Sequence, residues 1–129
     1  MGRFQRFTEL EVWEYSKTLA SDIYRKTSEG PFNRDWSLRD QMRKAAVSIP
    51  SNIAEGFERG GTGEFINFLS IAKGSNGELI TQLSIAYDIG YLSKEDYESL
   101  VQRAQKIGKM LGGFMKYLKK SGIKGTKYR

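Results

Sequence analysis

The fold is decided by residues 41–56, which read QMRKAAVSIPSNIAEG. Apolar side chains recur there at three- and four-residue steps, at Met42, Ala46, Ile49 and Ile53. Such steps place side chains on one face of an α-helix, so the stretch predicts a helix with one buried face. Extended in both directions, the pattern predicts a helix over residues 38–59, with Ser37 as its N-cap and the following glycine run as its end.

Pro50 lies in the middle of this pattern. Proline removes a backbone hydrogen-bond donor and costs about 3 kcal/mol in the interior of a helix. Two interpretations follow: a helix that is kinked at Pro50, or a break into two shorter helices near Ser48. The kink is favoured, because Ile53 stays in phase with Met42 across the proline.

Three further stretches have the same periodicity. They predict helices over about residues 9–28, 63–89 and 94–120, with Thr62 and Ser93 as N-caps of the last two. No stretch alternates with a period of two, so we predict no strands. Four helices joined by short loops predict an all-α, up-down-up-down four-helix bundle over residues 1–129, with a basic tail at residues 121–129.

The chain has 129 residues and contains neither His nor Cys. These absences exclude Ser-His and Cys-His nucleophile pairs, disulfides and zinc-thiolate sites. We therefore expect no enzymatic activity, no catalytic residue, no metal and no cofactor. No apolar run approaches the roughly 20 residues that span a membrane, so the sequence predicts a cytoplasmic protein without a membrane partner.

Positive charge is concentrated near the end of the chain. Residues 103–129 hold nine cations and no acid (net +9), whereas residues 1–102 hold 12 cations and 15 acids (net −3). The nine cations are Arg103, Lys106, Lys109, Lys116, Lys119, Lys120, Lys124, Lys127 and Arg129. Cations that bind phosphates release counterions, so these residues predict a nucleic-acid-binding surface on which Phe114, Tyr117 and Tyr128 could stack against unpaired bases.

A second interpretation of the same charge stays open. Lysines and arginines near a helix C-terminus complement the helix dipole and aid solubility, and Phe114 would then be a core residue.

The helix over residues 38–59 also carries a polar stripe. Its members are Gln41, Ser48, Asn52 and Glu55, with Arg43 beside them as one charge partner for Glu55, alongside Lys44, Arg59 and Lys73. One interpretation is a solvated face. The other is a partly buried hydrogen-bonding ladder that fixes helix register against Lys73, Glu78 or Gln82.

Small residues and isoleucines predict close helix contacts. Ala104, Gly108 and Gly112 follow a four-residue spacing that lets another helix approach closely, within the subunit or between subunits. The helix over residues 63–89 has more isoleucines than one narrow stripe needs, at Ile66, Ile71, Ile80, Ile85 and Ile89. A helix that is buried on more than one side predicts an oligomer.

Residues 41–56, together with FLSIAKGS at residues 68–75, closely resemble the bacterial four-helix-bundle proteins encoded in intervening sequences of 23S ribosomal RNA genes. Shorter matches lie at Leu10, Val12-Trp13, Ile23-Tyr24, Glu78-Leu79 and Thr81-Gln82-Leu83. The resemblance covers about residues 9–118. Asn76-Gly77 departs from it, because better helix formers are expected there.

Relatives of this family include the accessory protein of diversity-generating retroelements, a basic pentameric barrel that binds nucleic acid and a reverse transcriptase. The resemblance therefore implies a homopentamer, RNA or DNA as a partner, a protein partner such as a reverse transcriptase, and no known catalysis. Residues and resemblance together predict a non-enzymatic oligomer that binds structured RNA or DNA in an accessory or scaffold role. The alternative is a protein-interaction adaptor whose basic tail serves solubility or an acidic protein partner.

Overall fold

The computed structural model describes residues 4–121 and builds them from four α-helices. These are α1 (Glu11–Lys26), α2 (Trp36–Arg59), α3 (Thr62–Asp88) and α4 (Lys94–Lys120). Short 3₁₀ helices at Phe7–Glu9 and Gly30–Arg34 precede α1 and α2. No β-strand occurs in residues 4–121, which confirms the predicted all-α fold class.

The helices form a four-helix bundle in which each packs against the next in chain order and α1 closes the bundle against α4. The α2–α3 pair is antiparallel, because Ser48 lies beside Ser75 whereas Gly56, further along α2, lies beside Phe68, earlier in α3. All four helices supply side chains to one apolar core. Its fully buried members include Ile23 from α1, Ile53 from α2, Phe65 from α3 and Ile107 from α4.

Phe65 joins three of the helices. Its ring is edge-on to Phe57 of α2, with centroids 6.0 Å apart, and edge-on to Phe114 of α4, with centroids 5.2 Å apart. Edge-to-face pairs at these distances add stabilisation beyond the apolar area that they bury. Phe114 therefore packs against the core, as the second interpretation of the basic segment requires.

Two of the three predicted N-caps are wrong. The N-cap of α2 is Asp35, whose carboxylate accepts the backbone N–H of Leu38 at 3.1 Å, so Ser37 lies within the first turn. The N-cap of α3 is Gly61, and Thr62 is the first helical residue. Ser93 is confirmed as the N-cap of α4, where its hydroxyl accepts the Asp96 N–H at 3.0 Å. A side-chain oxygen at this position satisfies one of the orphan donors of a first turn.

The helix α2 runs without interruption through Pro50, which is buried. The alternative interpretation, a break into two helices near Ser48, is therefore wrong. Ile49 and Ile53, on either side of the proline, are 1% and 0% exposed, and burial of these side chains offsets the lost backbone bond. A kink at Pro50 stays a prediction.

Gly56 marks the closest approach of α2 to α3. A Cβ atom at this position would lie 2.7 Å from Cβ of Phe68 and 2.9 Å from Cδ1 of Phe65. Those separations are shorter than van der Waals contact, so only glycine lets the two helices pack at this distance.

Candidate nucleic-acid interface

The outer face of α4 becomes basic toward its C-terminal end. Lys109, Lys116, Lys119 and Lys120 are all exposed, and within residues 4–121 none of them forms an ion pair with an acid. The first turn of α4 carries the opposite charge, with Glu95 and Asp96. Both arrangements match the helix dipole, and together they give α4 an acidic beginning and a basic end.

Arg103 and Lys106 point toward α1 instead. The Arg103 guanidinium forms an ion pair with Asp22 at 2.9 Å, and its side chain is only 26% exposed. The Lys106 ammonium lies 4.7 Å from the centre of the Tyr15 ring, a cation–π distance. The structure therefore divides the predicted cations into a free set on the outer face and a set that holds α4 to α1.

The remaining predicted cations, Lys124, Lys127 and Arg129, lie outside the described residues, as does Tyr128. Tyr117 is 48% exposed on α4, close in sequence to Lys116 and Lys119. Of the predicted stacking residues, Tyr117 is thus the one that the described surface presents beside lysines.

An open groove of about 750 Å³ runs between α3 and α4, and we call it the α3/α4 groove. Its lining residues are Lys73, Asn76, Gly77, Ile80, Gln105, Gly108, Lys109, Gly112 and Gly113. The Lys73 side chain crosses the groove, because its Cε atom lies 3.7 Å from the position that a Cβ of Gly112 would occupy. Lys73 thereby joins the basic face of α4, although it belongs to α3.

Asn76 forms the polar floor of this groove and is 3% exposed. Its Nδ2 atom donates to the Ala104 carbonyl at 2.8 Å, and a Cβ at Gly108 would lie 3.2 Å from that nitrogen. The small residues Ala104 and Gly108 thus admit an α3 side chain of the same subunit. Among the described residues, Oδ1 of Asn76 has no hydrogen-bond partner.

The polar stripe of α2 separates into several local contacts. The Ser48 hydroxyl lies 2.8 Å from the Ser75 hydroxyl of α3, and Nδ2 of Asn52 donates to the carbonyl and hydroxyl of Ser48 at 2.7 and 2.9 Å. Glu55 pairs with Arg59 at 2.9 Å, one of its four predicted partners. Gln41 reaches only Ser37, at 3.4 Å.

Arg43 turns away from this stripe and contacts the end of α1. Its guanidinium donates to the hydroxyls of Thr27 at 2.9 Å and Ser28 at 3.0 Å. The same group lies 4.6 Å from the centre of the Tyr24 ring. Arg43 therefore fixes α2 to α1 and contributes no charge to Glu55.

A second groove lies between α2 and α3, where Gln41 and Lys44 face Glu78 and Gln82. Three isoleucines of α3 and its C-terminal cap are exposed: Ile71 by 51%, Ile85 by 45% and Ile89 by 51%. The other two extra isoleucines, Ile66 and Ile80, are partly buried against the core. Ile85 and Ile89 lie one helical turn apart on α3, and neighbouring exposed apolar side chains can mark a surface that another protein chain covers.

The opposite end of α4 is tied to α1 by the ion pair of Lys26 with Asp96, at 2.7 Å. The hydrogen bond from Lys26 lowers the pKa of Asp96, and the same bond, with a weaker one to Glu29, raises the pKa of Lys26. The described residues hold no group of three or more acidic side chains that could bind a metal ion. No helix in the described part of the chain is long and apolar enough to cross a membrane.

Comparison with known proteins agrees with this architecture. The crystal structure of a protein of unknown function from the S23 ribosomal protein family of Bacteroides thetaiotaomicron superposes with a TM-score of 0.75 and 26% sequence identity, covering 81% of this chain and 98% of that one. No curated protein sequence matches the chain. Residues 8–113 match the sequence profile of the 23S rRNA-intervening sequence proteins, and the chain belongs to that family.

Proposed function

We propose that this protein binds RNA or DNA through the basic face of α4 and acts as a non-enzymatic accessory or scaffold protein. One observation carries the proposal: Lys109, Lys116, Lys119 and Lys120 are exposed and unpaired among the described residues, although acids are available elsewhere on the bundle. Lysines without an acid partner are free to neutralise phosphates, and each neutralised phosphate releases condensed counterions.

Self-association would strengthen this binding. Exposed Ile71, Ile85 and Ile89 support the proposal that α3 contacts a second copy of the chain, and the family resemblance implies five copies. In a closed ring every subunit presents the same lysines, so the basic faces add their fields and bind one polyanion multivalently. A protein partner such as a reverse transcriptase is part of the proposal and would bind the same assembly.

The test is nucleic-acid affinity as a function of salt for a triple variant, Lys116→Glu, Lys119→Glu and Lys120→Glu. We expect the slope of log affinity against log salt to fall in magnitude by about three, because each lost phosphate contact removes about one. Circular dichroism checks that the variant folds.

A matched triple variant, Lys17→Glu, Lys44→Glu and Lys94→Glu, changes the net charge equally on other exposed positions. Equal losses in both variants would contradict the assignment to α4. A native chain that binds neither RNA nor DNA at about 50 mM salt would overturn the proposal and favour the adaptor interpretation.

Oligomer formation has its own test in the variant Ile85→Gln and Ile89→Gln, which changes no charge. Light scattering should show a smaller assembly, and affinity for nucleic acid at equal subunit concentration should fall by about tenfold or more. An unchanged mass would contradict a self-contact through this part of α3.

A further inference from the structure

Two glycines that border the α3/α4 groove are not required by packing within the chain. A Cβ atom at Gly77 or Gly113 would lie more than 4 Å from every other atom of residues 4–121, apart from those of the adjoining backbone of its own helix. Glycine is the poorest helix former after proline, and both positions are inside helices. Glycine in a helix lets another backbone or a ligand approach closely, so these positions fit an occupant from outside the subunit.

The floor of the groove supplies an independent sign of a ligand. Asn76 is 3% exposed, and its Oδ1 atom has no hydrogen-bond partner among residues 4–121. A buried acceptor without a donor costs stability; Oδ1 has almost no accessible surface, so a ligand's O–H or N–H group would satisfy it only after the amide rotates toward the groove. The ribose 2′-hydroxyl is such a donor, whereas a phosphate group only accepts.

The two ends of the α3–α4 contact differ in chemistry. Lys73 and Lys109 flank the groove at one end. At the other end the rings of Tyr87 and Tyr97 stack with centroids 4.6 Å apart and planes 10° from parallel, and Tyr87 is 37% exposed. From Tyr97 to Lys109 the distance along α4 is about 18 Å at 1.5 Å per residue, enough for a short run of nucleotides.

The geometry points to the α3/α4 groove as a binding track for single-stranded RNA. Lys73 and Lys109 hold backbone phosphates, and the glycine positions admit the sugar-phosphate chain. Asn76 accepts a hydrogen bond from a ribose once its amide has rotated toward the groove. An unpaired base stacks on Tyr87. Lysines that follow a backbone and aromatic rings that stack on bases are the two elements of single-strand binding, whereas a duplex hides the base faces.

This inference rests on the proposed function and names its preferred substrate. Its test is the double variant Gly77→Gln and Gly113→Gln, which places bulk at the groove with a good helix former and changes no charge. We expect affinity for a labelled single-stranded RNA of 12 nucleotides to fall by about tenfold or more, while affinity for duplex RNA stays within about twofold. Fluorescence anisotropy measures both.

Gly74→Gln is the matched control, because Gly74 also has open space around its Cβ position but does not line the groove. Its affinities should stay within about twofold of the native chain. Thermal unfolding and light scattering check that all variants keep the native fold and mass.

The outcomes separate the two proposals. A native chain that binds neither RNA nor DNA overturns both proposals, and one that binds DNA but neither form of RNA overturns the groove alone. If the native chain binds both forms of RNA and the double variant keeps its affinity for the single strand, the groove proposal alone is overturned. An equal loss of single-strand affinity in Gly74→Gln also overturns the groove proposal alone. Equal affinity for single-stranded DNA of the same sequence would overturn the proposed hydrogen bond between Asn76 and the ribose 2′-hydroxyl.

Discussion

The two sides of α3 differ in whether contacts within the chain explain the small and polar residues that lie there. On the side that faces α2, the contact with Gly56 of α2 leaves no room for a Cβ atom, and the hydroxyls of Ser48 and Ser75 form a hydrogen bond with each other. Toward α4, Gly77 and Gly113 have open space around them, and one acceptor of Asn76 is unsatisfied. Around Gly56 the α2 side is closed by contacts within the subunit, whereas the α4 side leaves a polar groove at Gly77 and Gly113.

This difference shows that glycines can have opposite structural roles within one helix bundle. At Gly56 it is a packing requirement, and its identity follows from the neighbouring phenylalanines. At Gly77 it lowers helix stability without an intramolecular compensation, which is typical of a position that serves binding. On its α1 side, α4 is joined by ion pairs of Arg103 with Asp22 and of Asp96 with Lys26, in addition to its core contacts.

The largest expected effect is at the closed side. Gly56→Ala should lower the free energy of unfolding by about 1–3 kcal/mol, because the added methyl group overlaps Phe65 and Phe68 and forces the helices apart. Urea unfolding monitored by circular dichroism measures the change. A variant as stable as the native chain would break the comparison, since it would show that this side is not tightly packed.

A smaller effect of opposite sign is expected at the open side. Gly77→Ala should raise the free energy of unfolding by about 0.5–1 kcal/mol, because alanine is the better helix former and, apart from the adjoining backbone of α3 itself, no atom in the described part of the chain lies within 4 Å of the new methyl group. The same urea experiment applies. Destabilisation would mean that the groove is closed in solution, and the contrast between the two sides would disappear.

The smallest effect concerns the ion pair that holds α4 to α1. Because the pKa of Asp96 is lowered by folding, its contribution is present above the ordinary Asp pKa and is lost as pH falls through the lowered value. Because the pKa of Lys26 is raised, its contribution is present below the ordinary Lys pKa and is lost as pH rises through the raised value.

The pair therefore stabilises the fold over a plateau between about pH 5 and pH 9. Asp96→Asn should lower stability on that plateau by less than about 1 kcal/mol, since Asp96 is partly exposed and its charge is screened. The difference from the native chain should vanish in strong acid, where both chains are neutral at this position. A difference that persists there would assign the effect to the N-terminal turn of α4 and not to the ion pair.

Much of the fold follows from sequence patterns that lie within a single segment of the chain. Periodicity along Met42, Ile49 and Ile53 predicts a helix through Pro50, and the hydroxyl of Ser93 predicts the start of α4. The cap of α2 is less predictable, because Asp35 and Ser37 are both good caps two residues apart and the chain around them decides between them.

The candidate site depends on contacts between helices, which no single segment contains. The charge run of α4 predicts a set of binding cations, but the sequence does not reveal that Arg103 faces Asp22 while Lys109 faces solvent. The sequence predicts Lys73 as a contact of the α2 polar stripe and a partner for Glu55, whereas its place beside Lys109 follows from the register of α3 against α4. A spacing of small residues at Gly108 and Gly112 was the one signal that pointed to this groove.

The charge reversal along α4 has a kinetic consequence. Glu95 and Asp96 begin a helix whose last turn holds Lys119 and Lys120, and about 24 residues of helix separate these charges by about 36 Å. A polyanion that diffuses toward the bundle is repelled at one end and attracted at the other, so the molecule rotates before any contact forms. Orientation in the long-range field speeds productive encounters, and added salt slows association as well as weakening the complex.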